Sequence, residues 1–465
     1  MSEAMAAATR EVGAEIDRSR FGGLQLTVLV LCFLVAAFDG LDAQIIAFAA
    51  PALLPDLGLR DDQLGIIFSA ATAGMAVGAV IFGPAGDRLG RKRVMVAMVA
   101  LFGLCTLATV LATGFYDLLL IRFVTGIGMG GALPNAVTLV SEYSPQRHRR
   151  LAVSIMYMGF AVGGIIGGAA ARQLLEIHGW ESIFYLGGAL PLGLLLLLLP
   201  LQPESLQYLV KRHPDRRERI IQLLYRVNPE ARYGGDERFV LADAAVETRL
   251  ANLFTDGRAR NTLMLWIAFF INLLVLFFLM YWTPTLLVAL GFAYKQAISL
   301  VIVFNVGGVF GALALAWMSN RWDPKRVLAS FFAVGALSAV GVGLSTGNLP
   351  LMMALALLMG LTAGGAQVGL YPMATQVYPT AIRVSGVGCA QAWGRVGSII
   401  GPLLGGALVA AGLGFRENYL LFGLPLFIAA GAIAAMRVSD AGTPPATGDI
   451  DPAALPGAPD SRPGS

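Results

Sequence analysis

The chain has 465 residues, 57% hydrophobic and only 13% charged, with a formal net charge of +4 and a mean hydropathy of +0.71. Soluble domains average about 25% charged residues, so a soluble enzyme or nucleic-acid-binding protein is excluded and an all-α polytopic membrane protein is expected. Three cysteines (Cys32, Cys105, Cys389) inside apolar runs and three scattered histidines (His148, His178, His213) suggest neither a disulfide framework nor a metal site. No cofactor is expected.

Residues 1–23 form a charged N-terminal tail that resembles no cleaved signal peptide. Apolar runs long enough to span a bilayer as helices are then expected at roughly 24–50, 62–83, 94–113, 116–140, 151–172 and 181–201, and again at 261–289, 295–318, 326–346, 350–376, 385–411 and 417–437. They define a first six-helix bundle over 24–201 and a second over 261–437, separated by an arginine-rich middle segment, 202–260. The tail 438–465, rich in Pro, Gly, Ala and Asp, is expected to be disordered.

Basic residues set the orientation. Arg60, Arg172, Lys295 and Arg416 fall on one side, and Arg122 and Arg395 lie within spans. The remaining Lys and Arg occupy the two tails, the middle segment and the loops on the other side, so both termini are expected in the cytoplasm. The Ala/Gly/Arg-rich composition suggests a bacterial inner membrane.

The first span holds Ala37-Phe38-Asp39-Gly40-Leu41-Asp42-Ala43-Gln44. A carboxylate at membrane depth costs a few kcal/mol, about 2.5–3.5 on insertion scales. Three residues turn a helix by roughly 300°, so Asp39 and Asp42 point to nearly the same face, which must line a wet cavity or meet cations on other helices.

The two halves repeat. Gly126-Ile127-Gly128-Met129-Gly130-Gly131-Ala132 aligns with Gly360-Leu361-Thr362-Ala363-Gly364-Gly365-Ala366, and the same offset carries Pro145 to Pro379, Arg149 to Arg383 and Gly163 to Gly397. Parallel six-helix repeats are the arrangement of the major facilitator transporters. Gly126 to Gly131 also matches the dinucleotide-binding spacing, but it follows no strand, and close helix packing explains it.

Gly83-Pro84-Ala85-Gly86-Asp87-Arg88-Leu89-Gly90-Arg91-Lys92-Arg93 resembles the loop 2–3 motif of the major facilitator superfamily. The resemblance implies a cytoplasmic gate latch with tight turns at its glycines, in which Glu142 partners Arg88 and Arg91. The corresponding second-half positions are Arg321 and Arg383, with Asn320 in place of the aspartate. The alternative is a solvated basic loop. Asp39-Gly40-Leu41-Asp42 resembles the D-G-x-D element of the aromatic acid:proton symporters, as do Arg122-Phe123, Gly130 to Asn135, Ser141 to Pro145, Gly364 to Gln367, Tyr378 to Arg383 and Gly394 to Gly397. That resemblance implies import of benzoate-like or phenylpropanoid-like carboxylates with protons by rocking of two halves, with the lipid bilayer, a small aromatic carboxylate and protons as partners and a monomer as the working unit.

In the implied fold the first and fourth spans both line the cavity, and Asp42 and Arg122 share a depth about 10 Å below the outer surface at ~1.5 Å per residue. Asp42, alone or with Asp39, is expected to face Arg122, leaving an acid free to hold a proton; the alternative is a structural ion pair. Arg395 sits near mid-membrane with no cation at its first-half counterpart, Ala161, and suits a substrate carboxylate through its bidentate fork. Arg122 also counts among the expected substrate-binding residues, and Asn135, Tyr157, Asn272, Gln367, Tyr371 and Trp393 complete the pocket, although for any single one of these six an interfacial belt or helix packing is the better explanation. Transport of another organic anion, export, a membrane enzyme and a non-transporting sensor remain as alternatives.

Overall fold

The computed structural model describes residues 9–233, 237–241, 250–255, 257–379 and 382–437. Among them, twelve helices are long and apolar enough to cross a membrane. Spans 1 to 6 are Gly23–Asp56, Asp61–Leu89, Arg91–Leu111, Phe115–Tyr143, Gln146–His178 and Glu181–Leu201. Spans 7 to 12 are Ala259–Ala289, Tyr294–Ser319, Pro324–Leu344, Leu349–Val377, Ser385–Ala410 and Phe415–Ala435. The chain is a multi-pass helical membrane protein, since helices satisfy their own backbone polar groups where no water is at hand. The expected disorder of 438–465 lies outside the described residues.

The number and order of spans agree with the sequence reading, and some of their ends lie beyond the expected bounds. Span 1 runs past Ala50 through Pro51 and Pro55. Span 2 continues through Pro84 to Leu89, so most of the expected loop Gly83–Arg93 is helix. The turn is confined to Gly90, whose φ of 101° favours glycine. Span 10 carries a π-helical turn over Gly360–Gly364, a local irregularity that often marks functional positions.

The internal repeat is visible in the helix contacts. A side chain at Gly126 of span 4 would strike the Ala71 carbonyl of span 2, and one at Gly360 of span 10 would strike the Phe304 carbonyl of span 8. Gly163 of span 5 meets the Ala37 carbonyl of span 1, and Gly397 of span 11 meets the Phe270 carbonyl of span 7. Arg149 Nε donates to the Ser144 carbonyl at 3.4 Å, and Arg383 Nε to the Tyr378 carbonyl at 3.3 Å. Small residues thus let equivalent helices approach closely in both halves.

The halves touch each other on the side opposite the tails. Gly65 of span 2 packs on Gly406 of span 11, where an added Cβ would lie 2.9 Å from the Gly406 Cα. Ser69 Oγ donates to the Ile399 carbonyl at 2.8 Å, and Phe68 stacks on Tyr281 with ring centroids 4.7 Å apart. Asn305 of span 8 donates to Gln44 Oε1 of span 1 at 2.7 Å, with both side chains buried.

On the tail side, the N-terminal tail and the middle segment form a cap under the first half. Strand Thr9–Glu11 pairs in parallel with Arg238–Val240. Arg10 bridges Glu15 at 3.3 Å and Glu237 at 2.8 Å, and the Tyr233 hydroxyl donates to Glu15 at 3.4 Å. Asp17 accepts from the Gln146 backbone N–H at 2.8 Å, which ties the cap to the start of span 5. Helix Arg217–Val227 buries Ile220, Leu223, Leu224 and Val227 along one face.

Candidate functional site

Asp39 and Asp42 are both buried, at 1% exposure each, but they have different surroundings. Asp42 Oδ1 accepts a hydrogen bond from Thr106 of span 3, and Asp42 Oδ2 lies 3.4 Å from Arg122 Nη1 of span 4. Arg122, also 1% exposed, donates its other terminal nitrogen to Thr109 and lies over the Phe184 ring at 5.4 Å. The guanidinium is thus held by an acid, a hydroxyl and an aromatic face. Gly40, between the two acids, permits helix contact: a side chain there would strike the Phe160 backbone of span 5.

Neither carboxylate oxygen of Asp39 has a hydrogen-bond partner among the described residues. The charges acting on it are those of Arg395, across the boundary between the halves, and Asp42. Arg395 is half-buried in span 11, and its side chain has no ion pair among the described residues. Its charge also reaches Tyr157, Tyr281 and Tyr371. The expectation that Asp39 shares Arg122 with Asp42 is therefore corrected: Arg122 pairs with Asp42, and the cation whose charge acts on Asp39 is Arg395.

Aromatic and amide groups surround this pair. Tyr157 of span 5 and Tyr371 of span 10 stack across the two halves with centroids 6.3 Å apart. Phe269 of span 7 meets Tyr371 edge-on at 5.6 Å. Asn272 Nδ2 donates to Gln367 Oε1 at 2.6 Å, joining spans 7 and 10, and Gln367 also lies against the Tyr371 hydroxyl. Gln391, four residues before Arg395 on the same helical face, reaches the Tyr157 hydroxyl. The sequence reading overlooked Gln391, as it did Thr106 and Thr109. The four-residue spacing to Arg395 was the signal for the first; threonines inside an otherwise apolar span were the signal for the other two.

Two expected pocket residues lie elsewhere. Asn135 Nδ2 donates to the Phe82 carbonyl of span 2 and to the Gly131 carbonyl, both at 2.9 Å, and a side chain at Gly86 would strike its Oδ1. It fastens span 4 to span 2 beside the Asp87 turn. Trp393 is 44% exposed, on a flank shared with Val396, Leu403 and Leu404, and stacks on Trp266 at 5.9 Å. Two helical positions from Arg395 turn it by roughly 200°, to the other side of span 11.

The tail-side ionic cluster is confined to the first half and the segment after span 6. Arg91 bridges Asp87 at 2.7 Å and Glu142 at 3.0 Å. Glu142 accepts from Ser205 at 2.5 Å, and Glu204 accepts from the Lys92 backbone N–H at 2.9 Å. Arg88 is exposed. Arg321 lies over the Trp317 ring at 4.2 Å and Arg383 holds a carbonyl of its own half, so neither joins the cluster that the resemblance implied. Among the described residues the halves are joined on the side opposite the tails, and the ion pairs of this cluster lie within the first half.

The family model of the Major Facilitator Superfamily matches residues 32–347 and 265–459. A gallate transporter from Pseudomonas putida is 38% identical over 422 residues, covering 90% of this chain and 93% of that protein. The 4-hydroxybenzoate transporter PcaK from Pseudomonas aeruginosa is 38% identical over 425 residues, covering 91% and 95%. A benzoate transport protein from Acinetobacter baylyi is 30% identical over 442 residues, covering 93% and 94%. Among solved structures, a D-xylose-proton symporter matches with a TM-score of 0.67 at 16% identity, over 88% of this chain and 97% of that one. The partially occluded inward-open form of the xylose transporter XylE from E. coli matches at 0.66 with 16% identity, over 88% and 97%. These two likenesses concern the fold alone.

Proposed function

The chain belongs to the aromatic acid transporters of the major facilitator superfamily, and from that premise we propose that it imports an aromatic carboxylate together with protons by alternating access. The observation that carries the reading is Asp39, a buried carboxylate with no hydrogen-bond partner among the described residues, in the field of Arg395, a cation with no ion pair among them. Each is costly alone inside a membrane protein. A substrate carboxylate meets the two-pronged guanidinium of Arg395, and a proton neutralises Asp39, so proton and anion together discharge the site.

The division of labour follows from the partners. Asp42 stays bound to Arg122 and Thr106, and this pair fixes the wall of spans 1, 3 and 4. Asp39 carries the proton. Tyr157 and Tyr371 offer ring faces to an aromatic substrate, one from each half, so binding draws the halves together. With the substrate anion on Arg395 and the proton on Asp39, no net charge is left to hold water in the site, and closure follows. The tail side is the cytoplasmic side by the distribution of Lys and Arg, the two tails and the middle segment lie in the cytoplasm, and the protein works as a monomer in a bacterial inner membrane. Asp87, Arg91 and Glu142 form the cytoplasmic latch, which in this state is folded back on its own half. Transport of a different organic anion is the competing reading, since Arg395 alone does not require an aromatic ring.

The test is uptake of labelled 4-hydroxybenzoate, benzoate and gallate into proteoliposomes with an imposed inward proton gradient. Accumulation that requires the gradient supports the reading. Failure of every aromatic acid to accumulate, with another organic anion taken up instead, refutes it.

A further inference from the structure

The amide pair Asn272–Gln367 has an unmet capacity that the proposed mechanism does not use. Asn272 is fully buried, at 0% exposure, and its Oδ1 has no hydrogen-bond partner among the described residues. Its Nδ2 is engaged with Gln367 Oε1 at 2.6 Å. An Asn–Gln contact of this kind uses one N–H and one oxygen, so turning either amide over leaves an unmet amide group all the same. A buried polar group left without a partner costs free energy, and such groups are retained where a ligand completes them.

The position ties this vacancy to the substrate site. Gln367 lies against the hydroxyl of Tyr371, whose ring stacks on Tyr157 and meets Phe269 edge-on. Asn272 is three residues from Phe269 on span 7, so the two share a helical face. Gln367 follows the π-helical turn Gly360–Gly364 in span 10. Arg395, on span 11, acts on both tyrosines. The aromatic pair is therefore flanked by a cation reaching it from span 11 and a neutral amide pair joining spans 7 and 10.

We propose that Asn272, with Gln367, is the specificity-determining subsite for a ring hydroxyl, so that the protein selects hydroxylated aromatic carboxylates over unsubstituted or alkylated ones. The inference rests on the reading of the chain as an aromatic carboxylate transporter. A hydroxyl is the group that fits, because it donates and accepts at once and carries no charge, matching a pair that presents both an amide oxygen and an amide N–H. An ammonium or a second carboxylate would bring a charge, and the ionic residue that spans 7 and 10 carry, Arg260, sits at the tail-side end of span 7, twelve residues from Asn272. A site built around a substrate hydroxyl rejects the analogue lacking it, since the protein's own polar groups then stay unpaired.

The test uses the purified full-length protein in detergent and isothermal titration with two matched pairs of probes: 4-hydroxybenzoate against 4-methylbenzoate, and 3-hydroxybenzoate against 3-methylbenzoate. A methyl group fills the same space without hydrogen bonding. In the wild type, the hydroxylated member of at least one pair is expected to bind about tenfold more tightly, the worth of one buried hydrogen bond. Asn272→Leu is expected to bring that ratio to about one, through loss of affinity for the hydroxylated probe. Asn272→Ser is read in parallel, so that one monodisperse variant suffices. Equal affinities within both pairs in the wild type, or a preference that survives substitution of Asn272, overturn the subsite while leaving aromatic carboxylate binding in place. Absence of binding by all four probes to the wild type instead removes the transport reading on which the subsite rests.

Discussion

Asp42 Oδ2 lies 3.4 Å from the Arg122 guanidinium, and both side chains are 1% exposed. Removing one partner of such a pair leaves the other charged and buried, at a cost of about 3–5 kcal/mol. Arg122→Leu is therefore expected to lower the melting temperature of the purified protein sharply. Adding Asp42→Asn to Arg122→Leu is expected to recover part of that loss, because the orphaned charge is then gone. Melting curves of the two single variants and the double variant check the coupling.

Among the described residues Asp39 has no hydrogen-bond partner to lose. Asp39→Asn removes a buried charge without orphaning another, so thermal stability is expected to hold or rise. Gradient-driven accumulation of substrate is expected to be lost, because asparagine cannot carry the proton. The combination of an unchanged melting curve and lost accumulation distinguishes Asp39 from Asp42, whose replacement disturbs both.

Arg395 is the proposed anion site. Arg395→Lys keeps the charge and loses the planar fork, and Arg395→Ala loses both. Affinity for 4-hydroxybenzoate is expected to fall by about tenfold for lysine and further for alanine, in line with about 1.5–3 kcal/mol for a hydrogen bond to a charged group. Titration of the purified variants gives the order directly.

Asn305 and Gln44 join the halves at 2.7 Å on the side opposite the tails. Asn305→Leu breaks that link and leaves Gln44 Oε1 buried without its donor, so the closed arrangement loses about 1–3 kcal/mol. The population is expected to shift by about tenfold or more toward the state open on that side. Distances between spin labels at the far ends of spans 2 and 11 report the shift, and an unchanged distance distribution would show that the hydrogen bond does not bias the equilibrium.

The number of spans was legible because a bilayer demands apolar runs of about 20 residues. Their ends were not, because the helices continue beyond the apolar runs, through Pro51 and Pro84. The pairing of Thr9–Glu11 with Arg238–Val240 joins three-residue segments over 200 positions apart, which leaves no local pattern to read. Asp42 opposite Arg122 could be read from their shared depth together with the resemblance that puts spans 1 and 4 at the cavity. The separate fate of Asp39 could not: three residues leave a helix about 60° short of a full turn, and only the arrangement of the two halves decides that the charge of Arg395 acts on it. Asn135 and Trp393 misled for a related reason. A polar or aromatic residue in a span declares its chemistry in the sequence, whereas the neighbour it meets depends on which helix comes closest, here Phe82 for one and Trp266 for the other.

The central claim is that one proton on Asp39 accompanies one anion on Arg395, and proton movement on substrate addition tests it most directly. Proteoliposomes in lightly buffered medium are given 4-hydroxybenzoate at a pH where it is fully ionised, and external pH is followed with an electrode. The account predicts alkalinisation of the medium for the wild-type protein and none for Asp39→Asn. Entry of labelled 4-hydroxybenzoate without any alkalinisation in the wild type, or alkalinisation of equal size in Asp39→Asn, would contradict it.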